Sequence, residues 1–451
     1  MEDTFSIPSA RIAIFSSPGM GHLIPVAELS KWLVHHHHLS VSLITQSINP
    51  VSHTQQQTFL NVLSNDKNID IVSLPPPLEV LSNNTKMENL IFPTITYNTS
   101  HLRGILTSLA KSTPLLVALV VDLFGAGVIH VAEEIGIEPY MYFTSTCTLL
   151  AFSFHFPLLD ATFQGDFNDL KELRLPGCVP MCGRDFPDTN EDRESEAYKG
   201  MLWLVKQYRL MKGILVNSFD VLEAGAVDGF KKDLLLPPIY PIGPMVRSSS
   251  AGDGEGSVHH CLKWLDTQPQ CSVLYVSFGS GGTITRKQMD ELAFGLEMSG
   301  QRFLWVVKSP DEMVSCGTYF GDQSQRDPLS FLPQGFLERT KEFGLVVPSW
   351  APQVEVLGHV STEQKMNAVL VVDGVRLALR PRVCQSGVVE REELCKVIKC
   401  LFEEEEGKKL RATMNEVSAE AARALEDGGS SFRAISTVVN KWKEKTKPCV
   451  E

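Results

Sequence analysis

Short apolar runs alternate with longer segments of helical spacing along the whole chain. Residues 11–17 (RIAIFSS) predict a strand, followed by the Gly-rich turn Pro18-Gly19-Met20-Gly21 and a helix through Leu33. Residues 41–45 and 69–74 read as the next strands. Residues 115–121 are continuously apolar and stop at Asp122, the pattern of a strand covered on both faces. Residues 125–135 have helical spacing, and 140–143 are extended. This alternation predicts a parallel sheet flanked by helices. The pattern breaks at 235–250, rich in proline and then serine, and at 251–257 (AGDGEGS), a linker composition. It restarts with a strand at 272–277 and a helix at 285–299, for which Thr285 is the expected N-cap. Strands at 302–307 and 344–347 follow, then amphipathic helices at 390–402, 408–425 and 431–445. The acidic run Glu403–Glu406 reads as a solvated helix end. The expected architecture is two α/β domains with a ligand cleft between them. The first covers 1–244, a linker 245–258, the second 259–430, and a helix and tail 431–451.

Composition narrows the function. The 451 residues are 43% apolar, enough for two substantial cores. Lys and Arg number 41 against 53 Asp and Glu, a net charge of −12. That balance disfavours a nucleic-acid partner. A small anion remains compatible, because helix N-termini bind phosphate without net positive charge. The most apolar stretch, 114–136, is interrupted by Asp122, His130, Glu133 and Glu134, so no transmembrane segment is expected. The first residues lack a basic and apolar leader pattern. Ten scattered cysteines, with Cys178 and Cys182 four apart but no second pair, fit reduced thiols and a cytoplasmic location better than a zinc site.

Candidate chemistry lies at strand ends. Gly19-Met20-Gly21 supplies two glycines of a dinucleotide fingerprint, but Ile24 holds the third position, which argues against a nicotinamide enzyme. His22 follows the first strand at the edge where α/β proteins place their sites, and its side chain suits a general base. Asp122 ends an apolar strand. It either caps a loop or holds the His22 imidazole and stabilises its charged form. The tract His35–His38 reads as an exposed helix end. Ser277-Phe278-Gly279-Ser280 follows a strand, where backbone N–H groups can receive phosphate oxygens. Ser349-Trp350-Ala351-Pro352-Gln353 places an indole at a strand end, either in a core or open for stacking on a planar base.

Together these segments resemble plant small-molecule UDP-glycosyltransferases. The likeness runs through PGMGHLIPVAELSKWL, VVDLFGAGVIHVAEEIGI, LYVSFGSGG, WAPQVEVLGH and EDGGSS. The nearest subgroup glucosylates hydroquinone-like and phenylpropanoid phenols. The resemblance implies the GT-B arrangement, two Rossmann-like domains facing across a cleft. It implies a UDP-sugar donor, UDP-glucose by preference, a small phenolic acceptor, and neither metal nor cofactor. By position, His22 would deprotonate the acceptor and Asp122 would support it. The donor would be held by Gly21, Thr144, Ser280, Trp350, Ala351, Gln353, Glu363 and Gln364. In the family the segment from the tryptophan to the closing acid-glutamine pair runs about 44 residues. Here Trp350 reaches Glu363-Gln364 within residues 350–364. The absent stretch of about 29 residues normally carries HCGWNS at a helix N-terminus that grips the diphosphate. Donor binding is therefore expected to be impaired, with the second domain lacking one strand-helix unit. The alternative is an inactive variant of such an enzyme, at most an acceptor-binding protein.

Overall fold

The computed structural model describes residues 10–77, 88–187, 190, 192–246, 260–279, 284–310, 327–353, 356, 362–363, 378–384 and 386–446. The chain forms two compact units, Met1–Arg247 with Val417–Glu451, and Ser248–Glu416. Most of the expected linker, 247–258, lies outside the described residues.

The first unit holds a seven-stranded parallel sheet ordered β3-β2-β1-β4-β5-β6-β7. Its strands are β1 (Arg11–Phe15), β2 (Ser40–Thr45), β3 (Ile69–Ser73), β4 (Leu116–Asp122), β5 (Glu138–Phe143), β6 (Ile214–Val216) and β7 (Ile239–Pro241). All seven residues of β4 are buried. Leu119 and Val121 enter the core on one face, while Val117 and Val120 enter the core on the other. Such two-sided burial explains why β4 reads as an unbroken apolar run. The chain winds from β1 to β2 and β3, then returns to place β4 on the other side of β1. Loops leaving β1 and β4 therefore diverge and open a crevice at the carboxyl edge.

Helix α1 (Met20–His37) covers the face lined by Val117 and Val120, burying Leu23, Val26, Leu29 and Leu33. It continues past the expected end at Leu33 and closes at His38, whose φ of 54° lies in the left-handed region. The histidine tract is thus not wholly an exposed end. His37 is buried, its ring 5.7 Å from that of Phe432, and its carbonyl accepts a 2.8 Å bond from Lys443. On the opposite face lie α2 (Glu88–Leu109), α3 (Ile129–Ile135), α4 (Cys147–Thr162) and α5 (Glu196–Gln207).

In the second unit the described sheet has four parallel strands ordered β10-β9-β8-β11. They are β8 (Val273–Val276), β9 (Arg302–Val307), β10 (Gly344–Pro348) and β11 (Thr362–Glu363). Helix α6 (Arg286–Ser299) starts as expected, with the Thr285 hydroxyl accepting from the Gln288 N–H at 3.2 Å. Phe303, Trp305, Leu296 and Phe336 form the centre of this core. β11 is only two residues long, pairing Thr362 with Val273 and Glu363 with Leu274. Val273 and Leu274 are buried, whereas Tyr275 and Val276, beyond that pairing, are half-buried.

Glu403–Glu406 are exposed, as expected, where α7 (Arg391–Glu403) passes into α8 (Glu405–Leu425). Residues 417–451 join the first unit because α9 (Ser430–Glu444) buries Ile435, Val438, Val439 and Trp442 in its core. The Trp442 ring meets that of Tyr140 edge-on at 5.2 Å.

Candidate active site

The reversal between β1 and β4 positions the first candidate pair. β1 ends at Phe15, and the Gly-rich turn delivers His22 in the first turn of α1. Gly19 has a φ of 112°, a value open chiefly to glycine. Gly21 is exposed, with open space where a side chain would begin. Asp122 is the last residue of β4 and is fully buried. His22 Nδ1 and Asp122 Oδ2 are 3.3 Å apart, joining residues one hundred positions distant in sequence. That contact is within ion-pair reach but off the line of a good hydrogen bond.

Firmer bonds hold the carboxylate in place. Its Oδ2 accepts from the Ser17 N–H at 2.7 Å. Its Oδ1 accepts from the Ser17 hydroxyl at 2.5 Å and from the Gly125 N–H at 3.0 Å. Burial alone would push the Asp122 acid up, but His22 and the Ser17 donors outweigh it and hold the group below its ordinary 3.8. Gly125 has no room for a side chain, since a Cβ there would fall 2.9 Å from that of Val121. The backbone can approach the carboxylate only because this residue is glycine.

Aromatic side chains stand beside the pair. The Phe124 ring meets His22 edge-on at 5.2 Å and Phe92 at 5.9 Å. Neither phenylalanine was picked out by sequence reasoning, nor was Ser17. Ser17 carries a weak sequence signal, because it follows β1 at the same edge as Asp122. Phe92 carries none, because it comes from α2, a helix the pattern did not predict. Thr144 is half-buried just past the end of β5, at that same edge.

The remaining candidates lie in the second unit. Trp350 is 56% exposed, so its indole is open rather than sealed in the core. Ser349 before it has a φ of 65°, unusual for a residue with a side chain. Its N–H donates to the Val307 carbonyl at 2.7 Å. Ala351 is buried and Gln353 exposed. Ser280 and Gln364 lie outside the described residues, and for Glu363 only the β11 backbone is described. Lys308, after β9, donates to the Gly279 carbonyl at 2.7 Å in a recess also lined by Ser277 and Phe278. Burial lowers its ammonium from the ordinary 10.5. Among the described residues no group of acidic, histidine or cysteine side chains could hold a metal ion.

Two Rossmann-like units, the first with an imidazole against a buried carboxylate at its switch point, define the class: a GT-B glycosyltransferase fold. Solved plant enzymes superpose on it. Apo UGT2 of Phytolacca americana is 43% identical, covers 96% of this chain and 99% of its own, and gives a TM-score of 0.84. A Polygonum tinctorium UDP-glucosyltransferase capable of glucosylating indoxyl is 37% identical, with 97% and 99% covered and a TM-score of 0.86. In sequence, UDP-glycosyltransferase 72B1 of Arabidopsis thaliana is 45% identical over 97% of each chain. Hydroquinone glucosyltransferase of Rauvolfia serpentina is 42% identical over 96% of this chain and 98% of its own. No family model matches the chain. This chain belongs to the plant UDP-glycosyltransferases. Among the described residues, no helix is long and apolar enough to cross a membrane.

Proposed function

We propose that the chain derives from an inverting UDP-glucose-dependent O-glycosyltransferase for small phenolic acceptors, with a complete acceptor half and a weakened donor half. The observation that carries the reading is the 3.3 Å approach of His22 to buried Asp122 at the switch point. His22 Nε2 takes the proton of the acceptor hydroxyl, and Asp122 stabilises the imidazolium that forms. The acceptor oxygen attacks the anomeric carbon from the face opposite UDP. The carbon–oxygen bond to UDP breaks, UDP leaves with the electron pair, and the configuration inverts. Phe124 and Phe92 offer flat apolar surface to an aromatic acceptor. The name of the Rauvolfia relative, and the pterostilbene complexed with UDP-2-fluoroglucose in Phytolacca americana UGT2, support this acceptor class.

For the donor, exposed Trp350 stacks on uracil, the Ala351 backbone meets its edge and Gln353 the ribose. Ser280 touches the diphosphate, while Gly21, Thr144, Glu363 and Gln364 complete the set. UDP-sugar is a co-substrate, and the reading requires neither metal nor further cofactor. It also places the protein in the cytoplasm.

Weakened donor binding is the second part of the proposal. The alignment with the Arabidopsis relative runs to 468 positions, longer than the 451-residue chain, so that relative carries residues this chain lacks. The two-residue β11 beside half-buried Tyr275 and Val276 fits a shortened segment at that place. Three lost charge-assisted bonds to phosphate, at roughly 1.5–3 kcal/mol each, cost about 4–9 kcal/mol. That is on the order of a thousandfold or more in affinity. The second reading, an inactive acceptor-binding variant, is the limit of this loss. Restoring about 29 residues between Ser361 and Thr362 should allow UDP release from UDP-glucose with hydroquinone. His22→Ala in that protein should abolish the release, and unchanged turnover would refute the base assignment.

A further inference from the structure

We infer that Ser17 is a positioning residue for the transfer reaction, fixing the Asp122 carboxylate so that it holds His22 in one tautomer. This rests on the reading of His22 as base and adds a third member to the pair. Ser17 is 1% exposed and Asp122 fully buried, so neither exchanges its partner for bulk water. Ser17 holds both carboxylate oxygens, one through its N–H at 2.7 Å and the other through its hydroxyl at 2.5 Å. Two anchors on different oxygens stop rotation about the Cβ–Cγ bond. Gly125 N–H reinforces the Oδ1 side at 3.0 Å, leaving Oδ2 as the oxygen nearest His22 Nδ1.

That orientation sets the chemistry of the ring. Even off the hydrogen-bond line, a carboxylate oxygen 3.3 Å from Nδ1 draws the proton to that nitrogen electrostatically, which leaves the Nε2 lone pair free to act as base. Nδ1 is itself buried, so only Nε2 can meet a substrate. Within this arrangement the Ser17 hydroxyl is the sole anchor that a side-chain substitution removes. Both backbone donors survive Ser17→Ala, but Oδ1 then loses its shorter bond and keeps only the 3.0 Å one from Gly125, so the carboxylate is held less firmly.

The test reads the imidazole directly and needs neither donor nor turnover. The full-length chain is treated with diethyl pyrocarbonate at neutral pH, and the modification rate of each histidine is followed by peptide mass spectrometry. Ser17→Ala should slow His22 by about twofold, as Oδ1 keeps only the longer Gly125 bond and the carboxylate enforces the tautomer less firmly. Ser17→Thr, which keeps the hydroxyl, should restore the rate, and His101 and His130 should be unchanged in both. A merely structural role would loosen the fold and raise several histidine rates together; that result, or an unchanged His22 rate, overturns the inference. Should Ser17→Ala fail to fold, Ser17→Cys, with a weak donor of similar size, should slow His22 in the same way, and an unchanged rate there overturns it too. Asp122→Asn separates the two levels. If it slows His22 while Ser17→Ala does not, only the Ser17 role falls. If it leaves His22 unchanged, the base-carboxylate reading falls with it.

Discussion

Asp122→Ala removes the acceptor from three donors at once. The N–H and hydroxyl of Ser17 and the N–H of Gly125 all point at the carboxylate, and the site is sealed from solvent. A buried donor left unsatisfied costs about 1–3 kcal/mol, so three cost about 3–9 kcal/mol. Water entering the vacated volume brings the loss toward the low end. A domain is stable by only about 5–15 kcal/mol, so even about 3 kcal/mol is a large fraction. Asp122→Asn keeps the volume and one carbonyl acceptor but turns an NH₂ toward a donor, and should cost less. The assay is urea unfolding of both variants, following the transition of the first unit. The expected order of midpoints is wild type, then Asn, then Ala. An alanine variant within about 0.5 kcal/mol of wild type, the range of surface substitutions, would refute the claim that this carboxylate organises the edge of the sheet.

Two further outcomes follow from other parts of the molecule. His37 is held down to about 4 by burial, then by Lys443, His36 and His38. Its contribution to stability is full above the ordinary 6.5 and is lost as pH falls from 6.5 to 4. Allowing for partial solvent screening, the loss is about 1–2 kcal/mol. His37→Gln should flatten that slope in pH-dependent unfolding, and an unaltered slope contradicts the assignment. At Ser349, the left-handed backbone predicts that Ser349→Gly is neutral or stabilising by up to about 1 kcal/mol, while Ser349→Val destabilises by about 1–2 kcal/mol. Thermal unfolding distinguishes them, and equal effects of glycine and valine would contradict the strain.

The sheet strands were legible because most are short apolar runs between turn residues. β9 (Arg302–Val307) matches its expected span, and β4 differs from expectation mainly in including Asp122 as its last residue. The helices of the first unit were harder to read. α2 carries its contacts on Ile91, Ile95, Leu102 and Leu106, with polar residues and Pro93 between them, so its period is blurred. α1 overran its expected end because the tertiary contact of His37 with Phe432 and Lys443 extends it, and no local signal announces that contact. In the site, His22 and Asp122 were visible as polar residues ending or following apolar strands. Their approach was legible only as one of two readings of Asp122, because it depends on β4 returning beside β1. Ser17 and Gly125 become meaningful only once that pairing exists.

The proposed function divides the molecule into a complete acceptor half and a donor half short of its phosphate grip. Calorimetric titration of UDP into this chain, beside the same chain with the missing segment restored after Ser361, tests that division most directly. Micromolar binding is expected of the restored protein, and binding weaker by about a thousandfold, or none detectable, of the 451-residue chain. Micromolar binding of UDP by the chain as it stands would contradict it.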